Sequence, residues 1–367
     1  MRERYLGWYR RTPEQLSTFW DAAVFVPDAN ILLHCLRHPE NVRDQLFRLF
    51  GVLRDSLWIP YQVGLEFHRN RLDVEFGSQD AYDRLGAACT AALAQARDSF
   101  RQLRAHPVID VDRELAALDR FVTDFEGRMR EYRALHPTQA ISGALDQLTD
   151  LFEGRVGEKW QPEKLKALKK EGEERYANKI PPGYMDSRKH DGQYGKYGDL
   201  IIWKDMIGKA TEDERPVVFI SDDAKEDWWW IHRGEKLGPR PELIQEFKEC
   251  SGQAFHIYQF TQFLRIAAVR HPEIEAGVTE IEKSVREDEQ AKKRLDGAAE
   301  ASALRQRISE LEDERDFIIS TLSGTPTRGE LPQPAPDRSV LGARLEALRA
   351  ELEKMNAVES GESTTEG

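Results

Sequence analysis

Two short apolar runs constrain this chain more than any other feature: VFVP, residues 24–27, and PVVFI, residues 216–220. Both are continuous rather than alternating, as expected of strands covered on both faces of a parallel sheet. Each runs into carboxylates, the first into Asp28 and the second, through Ser221, into Asp222 and Asp223. A buried strand that ends in acids needs something to balance their charge, because an unpaired carboxylate is costly to remove from water.

Between and after these runs, apolar residues recur at helical spacing. Val42, Leu46, Leu49, Phe50 and Leu53 mark one helical face over 39–53. LWIP (57–60) reads as a further short strand, and YQVGLEFHRNRLDV after it reads as a helix with Val63 and Phe67 turned one way. Later come a helix DLIIWKDMIGKA, the strand PVVFI, a helix RPELIQEFKEC, a strand FHIYQF and a helix TQFLRIAAV. Short strands alternating with helices imply βαβ units, a parallel sheet and an α/β fold. Residues 77–175 contain no strand signal and are expected to be a helical insertion, followed by a loop over 176–198 rich in Pro, Gly and Tyr.

Past Pro272 the pattern becomes purely helical. Leu304, Ile308, Leu311, Ile318 and Leu322 fall at a/d spacing, as do Leu341, Leu345, Leu348, Leu352 and Met355, with a Pro/Gly linker between. Each stripe is short for a free-standing coiled coil, so a helical hairpin or pairing with another chain would bury it. The expected layout is a body over 1–272, a helical tail over 273–322, a linker over 323–338, a short amphipathic helix over 339–357 and a disordered end over 358–367.

The net charge of −12 disfavours a nucleic-acid partner until its distribution is considered. From Glu273 onward there are 22 acidic and 13 basic residues, leaving 43 acids against 40 bases before it. The body is thus near neutral. Three scattered cysteines suit neither a disulfide framework nor a zinc site. No apolar run is long enough to span a membrane and MRERYLGWYRRTPEQ lacks the core of a secretory signal, so a cytoplasmic protein is expected.

In a parallel-sheet fold the carboxyl ends of the strands converge on one cleft. Asp28, Glu66, Asp199 and the pair Asp222/Asp223 all stand at such positions. Crowded carboxylates resist ionising unless a cation sits among them, and hard oxygen ligands suit Mg²⁺ or Mn²⁺. Such an ion can activate water for in-line displacement at phosphorus. Each acid also has an ordinary structural alternative: a helix cap for Asp199, Asp222 or Asp223, a turn for Asp28, a solvated helix face for Glu66.

Taken together, VFVPDANILLH, IPYQVGLEFHRNR, YGDLIIWKDMI and VVFISDDAKEDWWW resemble the successive motifs of the PIN nuclease superfamily. The likeness is greatest to longer bacterial PIN-like proteins whose last acidic motif ends in DWW, and it covers roughly residues 20–265. It implies a Rossmann-like three-layer α/β/α fold and hydrolysis of phosphodiesters, RNA ahead of DNA, with Mg²⁺ or Mn²⁺. It also implies that Asp28, Glu66, Asp199 and Asp223 or Asp222 are metal ligands, with Asn30 and Ser221 supporting them. In the 176–198 loop Lys179, Arg188, Lys189 and Lys196 with Tyr194, and beyond it Lys225, are candidates for substrate contact, as cations bind phosphate and tyrosines stack on bases. Lys225 could instead pair with a site carboxylate. His68 and His190 have little to recommend them. Of the three consecutive tryptophans 228–230, expected to follow a helix, at least one should pack against the sheet.

Two other readings compete. A phosphatase of the haloacid dehalogenase type also begins from an aspartate after the first strand, but Asn30 stands where its second acid belongs. A non-catalytic scaffold would bind RNA with its body and assemble a homo-oligomer or partner protein through its tail.

Overall fold

The computed structural model describes residues 1, 4–9, 11–134, 138–188, 195–323 and 338–360. It has two compact units, Met1–Ser284 and Val285–Gly367. In the first, helix α1 (Pro13–Ala22) begins with a reciprocal cap in which the Thr12 side chain accepts from Gln15 N and the Gln15 side chain accepts from Thr12 N. It leads into strand β1 (Val24–Pro27), and β1 into helices α2 (Ala29–Arg37) and α3 (Glu40–Val52).

The expected insertion is indeed helical. Helix α4 (Tyr61–Gln102) extends far beyond the sheet, and α5 (Val111–Ala134), α6 (Thr138–Phe152) and α7 (Pro162–Ala177) complete it. The α/β pattern resumes with α8 (Gly198–Asp213), β2 (Val217–Ile220), the antiparallel hairpin β3 (Trp229–His232) and β4 (Glu235–Pro239), α9 (Pro241–Ser251), β5 (Phe255–Tyr258) and α10 (Phe260–Arg270). Strands β1, β2 and β5 form a parallel sheet with β2 at its centre. Val24 lies beside Val217 and Val217 beside Phe255, so the two acid-ended strands are neighbours in register. Every residue of β1 and β2 is buried, which explains their unbroken apolar sequence.

Two expectations fail. LWIP is not a strand: Leu57 pairs with Phe25 and Ile59 with Val156 as isolated parallel bridges. Pro60, which lacks an N–H to continue a ladder, instead leads directly into α4. The tryptophans do not lie on a helix either. They enter the β3–β4 hairpin, whose turn residues Arg233 and Gly234 both have positive φ (52° and 79°), as a tight turn matching the strand twist requires.

The second unit contains most of helix α11 (Glu275–Ser323) and all of α12 (Arg338–Ser360). Ile308, Leu311 and Ile318 of α11 share one buried cluster with Leu348 and Leu352 of α12. Arg344 Nε and Glu314 Oε1 form a surface ion pair at 2.8 Å. Both stripes therefore meet within one chain, as a helical hairpin. Helix α12 runs through Val358–Ser360, where a disordered end was expected to begin; the linker residues 324–337 and the final residues 361–367 lie outside the described residues.

Candidate active site

The site starts at the junction of β1 and α2. Asp28 caps α2 by accepting from Ala29 N at 2.7 Å through Oδ1. Its Oδ2 accepts from Ser221 Oγ at 2.7 Å and from Asn30 Nδ2 at 2.8 Å. Where a turn was the structural alternative, Asp28 is a helix cap, and the same side chain reaches Ser221 at the end of the neighbouring strand. Burial pushes its carboxyl up to about 6, the Ser221 hydrogen bond opposes this, and nearby Asp199 and Asp223 add to it. Ser221 is fully buried. Its N–H continues the sheet ladder to Tyr258 O, and its hydroxyl also accepts from Asp223 N at 3.0 Å.

Asp199 lies in the first turn of α8 without capping it. Its Oδ2 is a buried oxygen with no hydrogen bond. Burial first, then Asp186, Asp223 and Glu66, push this carboxyl up to about 7 against the lowering effect of Lys225. Glu66, on α4, is half-buried and accepts from Gln62 Nε2 at 2.7 Å. It lies against the start of α8 so closely that a Cβ at Gly198 would meet its Oε1 at 2.7 Å. Glycine is the residue that permits this approach.

The adjacent aspartates diverge. Asp222 Oδ1 accepts from Phe260 N at 3.2 Å, capping α10 rather than the next segment in the chain. Its Oδ2 is 3.0 Å from His34 Nε2. His34 Nδ1 then contacts His38 Nε2, and His38 Nδ1 contacts Ser284 Oγ, each at 2.9 Å. Asp223 turns toward the other acids. Its Oδ1 accepts from Lys225 N, and its Oδ2 lies 2.9 Å from Lys225 Nζ.

Lys225 joins the cluster. Its ammonium also lies 3.0 Å from Asp186 Oδ2 and 3.5 Å from Asp199 Oδ2, and these acids hold its pKa above the usual lysine range although burial lowers it. Asp186, which the sequence did not mark as a site residue, is brought here by Asp227. That fully buried aspartate accepts from Gly183 N at 2.9 Å and Met185 N at 3.1 Å, tying the loop beside β2. Gly183 sits at φ 93°, where a side chain would be strained.

Trp228 is buried against Phe219 and Trp203, with ring centroids at 5.0 and 6.1 Å. Trp229 donates from Nε1 to Asp223 O at 2.6 Å, fixing the backbone of the acidic turn. Of the remaining candidates, Lys179 and Arg188 are exposed, and Lys196 lies 5.0 Å over the Tyr197 ring. Lys189, Tyr194 and His190 lie outside the described residues. His68 is exposed and meets Phe67 edge-on.

Strand ends and the α8 start thus bring Asp28, Asp199 and Asp223 within electrostatic reach of one another, and the α4 face brings Glu66 within reach of Asp199. A model of the PIN-like domain matches residues 24–243, from β1 into α9, and includes all of them. The chain belongs to the PIN-like domain family. PIN domains are typically nucleases and generally use divalent metal ions. Neither the comparison with curated proteins nor that with solved structures gave a match. Among the described residues no group of three or more His, Cys, Asp or Glu side chains is arranged to hold a metal ion, and the Lys225 ammonium lies among Asp186, Asp199 and Asp223. The donor chemistry of this PIN-like domain nevertheless fits a hard cation. The oxygens on offer are those of carboxylates, one of them buried and without a hydrogen bond, and two carboxyls resist ionising where they stand. Among the described residues no helix is long and apolar enough to cross a membrane.

Proposed function

We propose that this PIN-like domain is a metal-dependent nuclease that hydrolyses phosphodiester bonds, RNA ahead of DNA. The observation that carries the reading is the convergence of Asp28, Asp199 and Asp223, from elements nearly the whole domain apart in sequence, into mutual repulsion at the carboxyl ends of β1 and β2. Asp28, Glu66, Asp199 and Asp223 would hold Mg²⁺ or Mn²⁺. Asp222, engaged by His34 and Phe260 N, would contribute by fixing the turn. The bound ion would supply an activated water and neutralise charge developing at phosphorus. Ser221 and Asn30 hold Asp28 Oδ2 in one orientation. Lys225 carries a positive charge beside the acids, placed to attract a phosphate oxygen in their stead. Lys179, Arg188, Lys189, Tyr194 and Lys196 would meet the backbone and bases of the bound strand.

One observation favours a second reading, a body that binds nucleic acid without cutting it: the ammonium already neutralising part of the cluster. Incubation with Mn²⁺ and end-labelled single- and double-stranded RNA and DNA separates the two. The nuclease reading expects products from the wild type and a loss on the order of a hundredfold or more in Asp28→Asn, whose fold is kept. Absence of products from every substrate would overturn it.

A further inference from the structure

The opening segment RERYLGWYRR carries a pattern that the acid cluster does not use. Four arginines stand against one glutamate in the first twelve residues, interleaved with Tyr5, Trp8 and Tyr9. Leu6–Trp8 forms a short turn docked on the start of α9. A Cβ at Gly7 would lie 2.6 Å from Pro241 Cα, so the backbone sits as close as a glycine allows. Yet the rings of this docked segment face outward: Tyr5 and Trp8 are each 52% exposed and Tyr9 38%. A segment recruited only for packing would turn its largest apolar surfaces inward.

Trp8 stands edge-on to Trp230, ring centroids 5.3 Å apart. The adjoining groove, about 910 Å³, is lined by Tyr9, Arg11, Trp229, Trp230 and Lys236. Lys236 Nζ lies 4.8 Å over the Trp229 ring, and Trp229 is the residue bonded to Asp223 O. Aromatic rings and positive charge therefore stand side by side at this groove, and the buried Trp229 ring ties its wall to the backbone of the acidic turn. We propose that Tyr5, Trp8 and this groove form a stacking platform for a single-stranded nucleic acid, whose phosphates Arg4 and Lys236 attract. Bases of any sequence can stack on such rings, and the local basic charge complements the phosphates in a body otherwise near neutral. The proposal deepens the nuclease reading and rests on it for the substrate class.

Fluorescence anisotropy with labelled oligo-U and oligo-dT, in EDTA, tests it with the full chain. Tyr5→Ala/Trp8→Ala is expected to weaken binding roughly tenfold or more. Trp8→Phe, which keeps a ring, should recover most of the loss, and Arg4→Glu should flatten the salt dependence. Circular dichroism checks that each variant is folded; if the double variant is not, the Trp8→Phe and Arg4→Glu results decide. Binding unchanged in the folded double variant overturns the platform and leaves the nuclease reading intact. Weakened binding together with a wild type that never cleaves supports the platform and sinks the nuclease reading. Binding of the wild type to anionic vesicles but to neither oligonucleotide, or a dimer that the double variant abolishes without altered oligonucleotide binding, assigns the surface elsewhere and overturns the proposal.

Discussion

Asp28 and Asp199 show how one residue can be locally well placed and electrostatically strained. An aspartate titrates near 3.8 when unperturbed, whereas burial raises these two to about 6 and about 7. Between about pH 4 and 7 the folded chain therefore binds more protons at these sites than the unfolded chain. Stability from these groups is present at low pH, falls as pH rises through that window, and levels off above it. The cost amounts to roughly 3–4 kcal/mol per carboxylate at most. In EDTA the wild type is expected to lose more stability between pH 5 and 8 than Asp28→Asn does, measured by denaturant melts at each pH. Parallel profiles for the two proteins would show that Asp28 carries no such strain. Gly198 offers a second test. Its Cβ would displace the Glu66 carboxylate, the far end of a flexible side chain, and leave the α8 backbone alone. Gly198→Ala should therefore cost about 1 kcal/mol or less in melting yet lower cleavage on the order of tenfold or more, because small misplacements of reacting groups are costly. A variant as active as the wild type would remove Glu66 from the chemistry.

At the scale of elements, what decides the site is how segments are tied to the sheet. Asp227 accepts two backbone N–H groups of the loop that carries Asp186. Asp227→Ala leaves both donors without that partner, at about 1–3 kcal/mol each. The expected result is lower stability and faster proteolysis near residue 185, with Asp227→Asn, which keeps an acceptor oxygen, close to wild type. Equal protease resistance of the alanine variant would contradict that role. The α/β alternation was legible in the sequence because buried parallel strands and amphipathic helices have distinct periods, and Asp28 and Asp199 could be marked by standing where such elements begin or end. The Asp186–Lys225 pair was not, since its meeting depends on a loop held from across the fold. The His34–His38 pair was not marked either, since the aspartate that engages it, Asp222, lies 188 residues away from His34. The hairpin after Asp227 escaped because Arg233 takes the turn position where Asn or Asp would have announced it.

At the scale of the whole molecule, charge and compactness point to a division of labour. The first unit holds the acid cluster and the near-neutral body, while the acidic balance lies from Glu273 onward, largely in the second unit with its own leucine-rich cluster. A body whose sheet, helices and site close on themselves should fold without that hairpin. A chain truncated after Gln290 is therefore expected to melt cooperatively and to keep metal-dependent cleavage within a few-fold of the full chain. Removing excess negative charge should also reduce long-range repulsion of a polyanionic substrate. The truncated chain should accordingly gain in substrate binding at low salt, and the gain should fade near physiological ionic strength, where the screening length is about 8 Å. Cleavage rates and binding measured across a salt series for both chains check this. A folded truncated chain with no activity would make the helical hairpin part of the catalytic assembly. An advantage that persists at high salt would mean that the tail hinders substrate by direct contact rather than by its field.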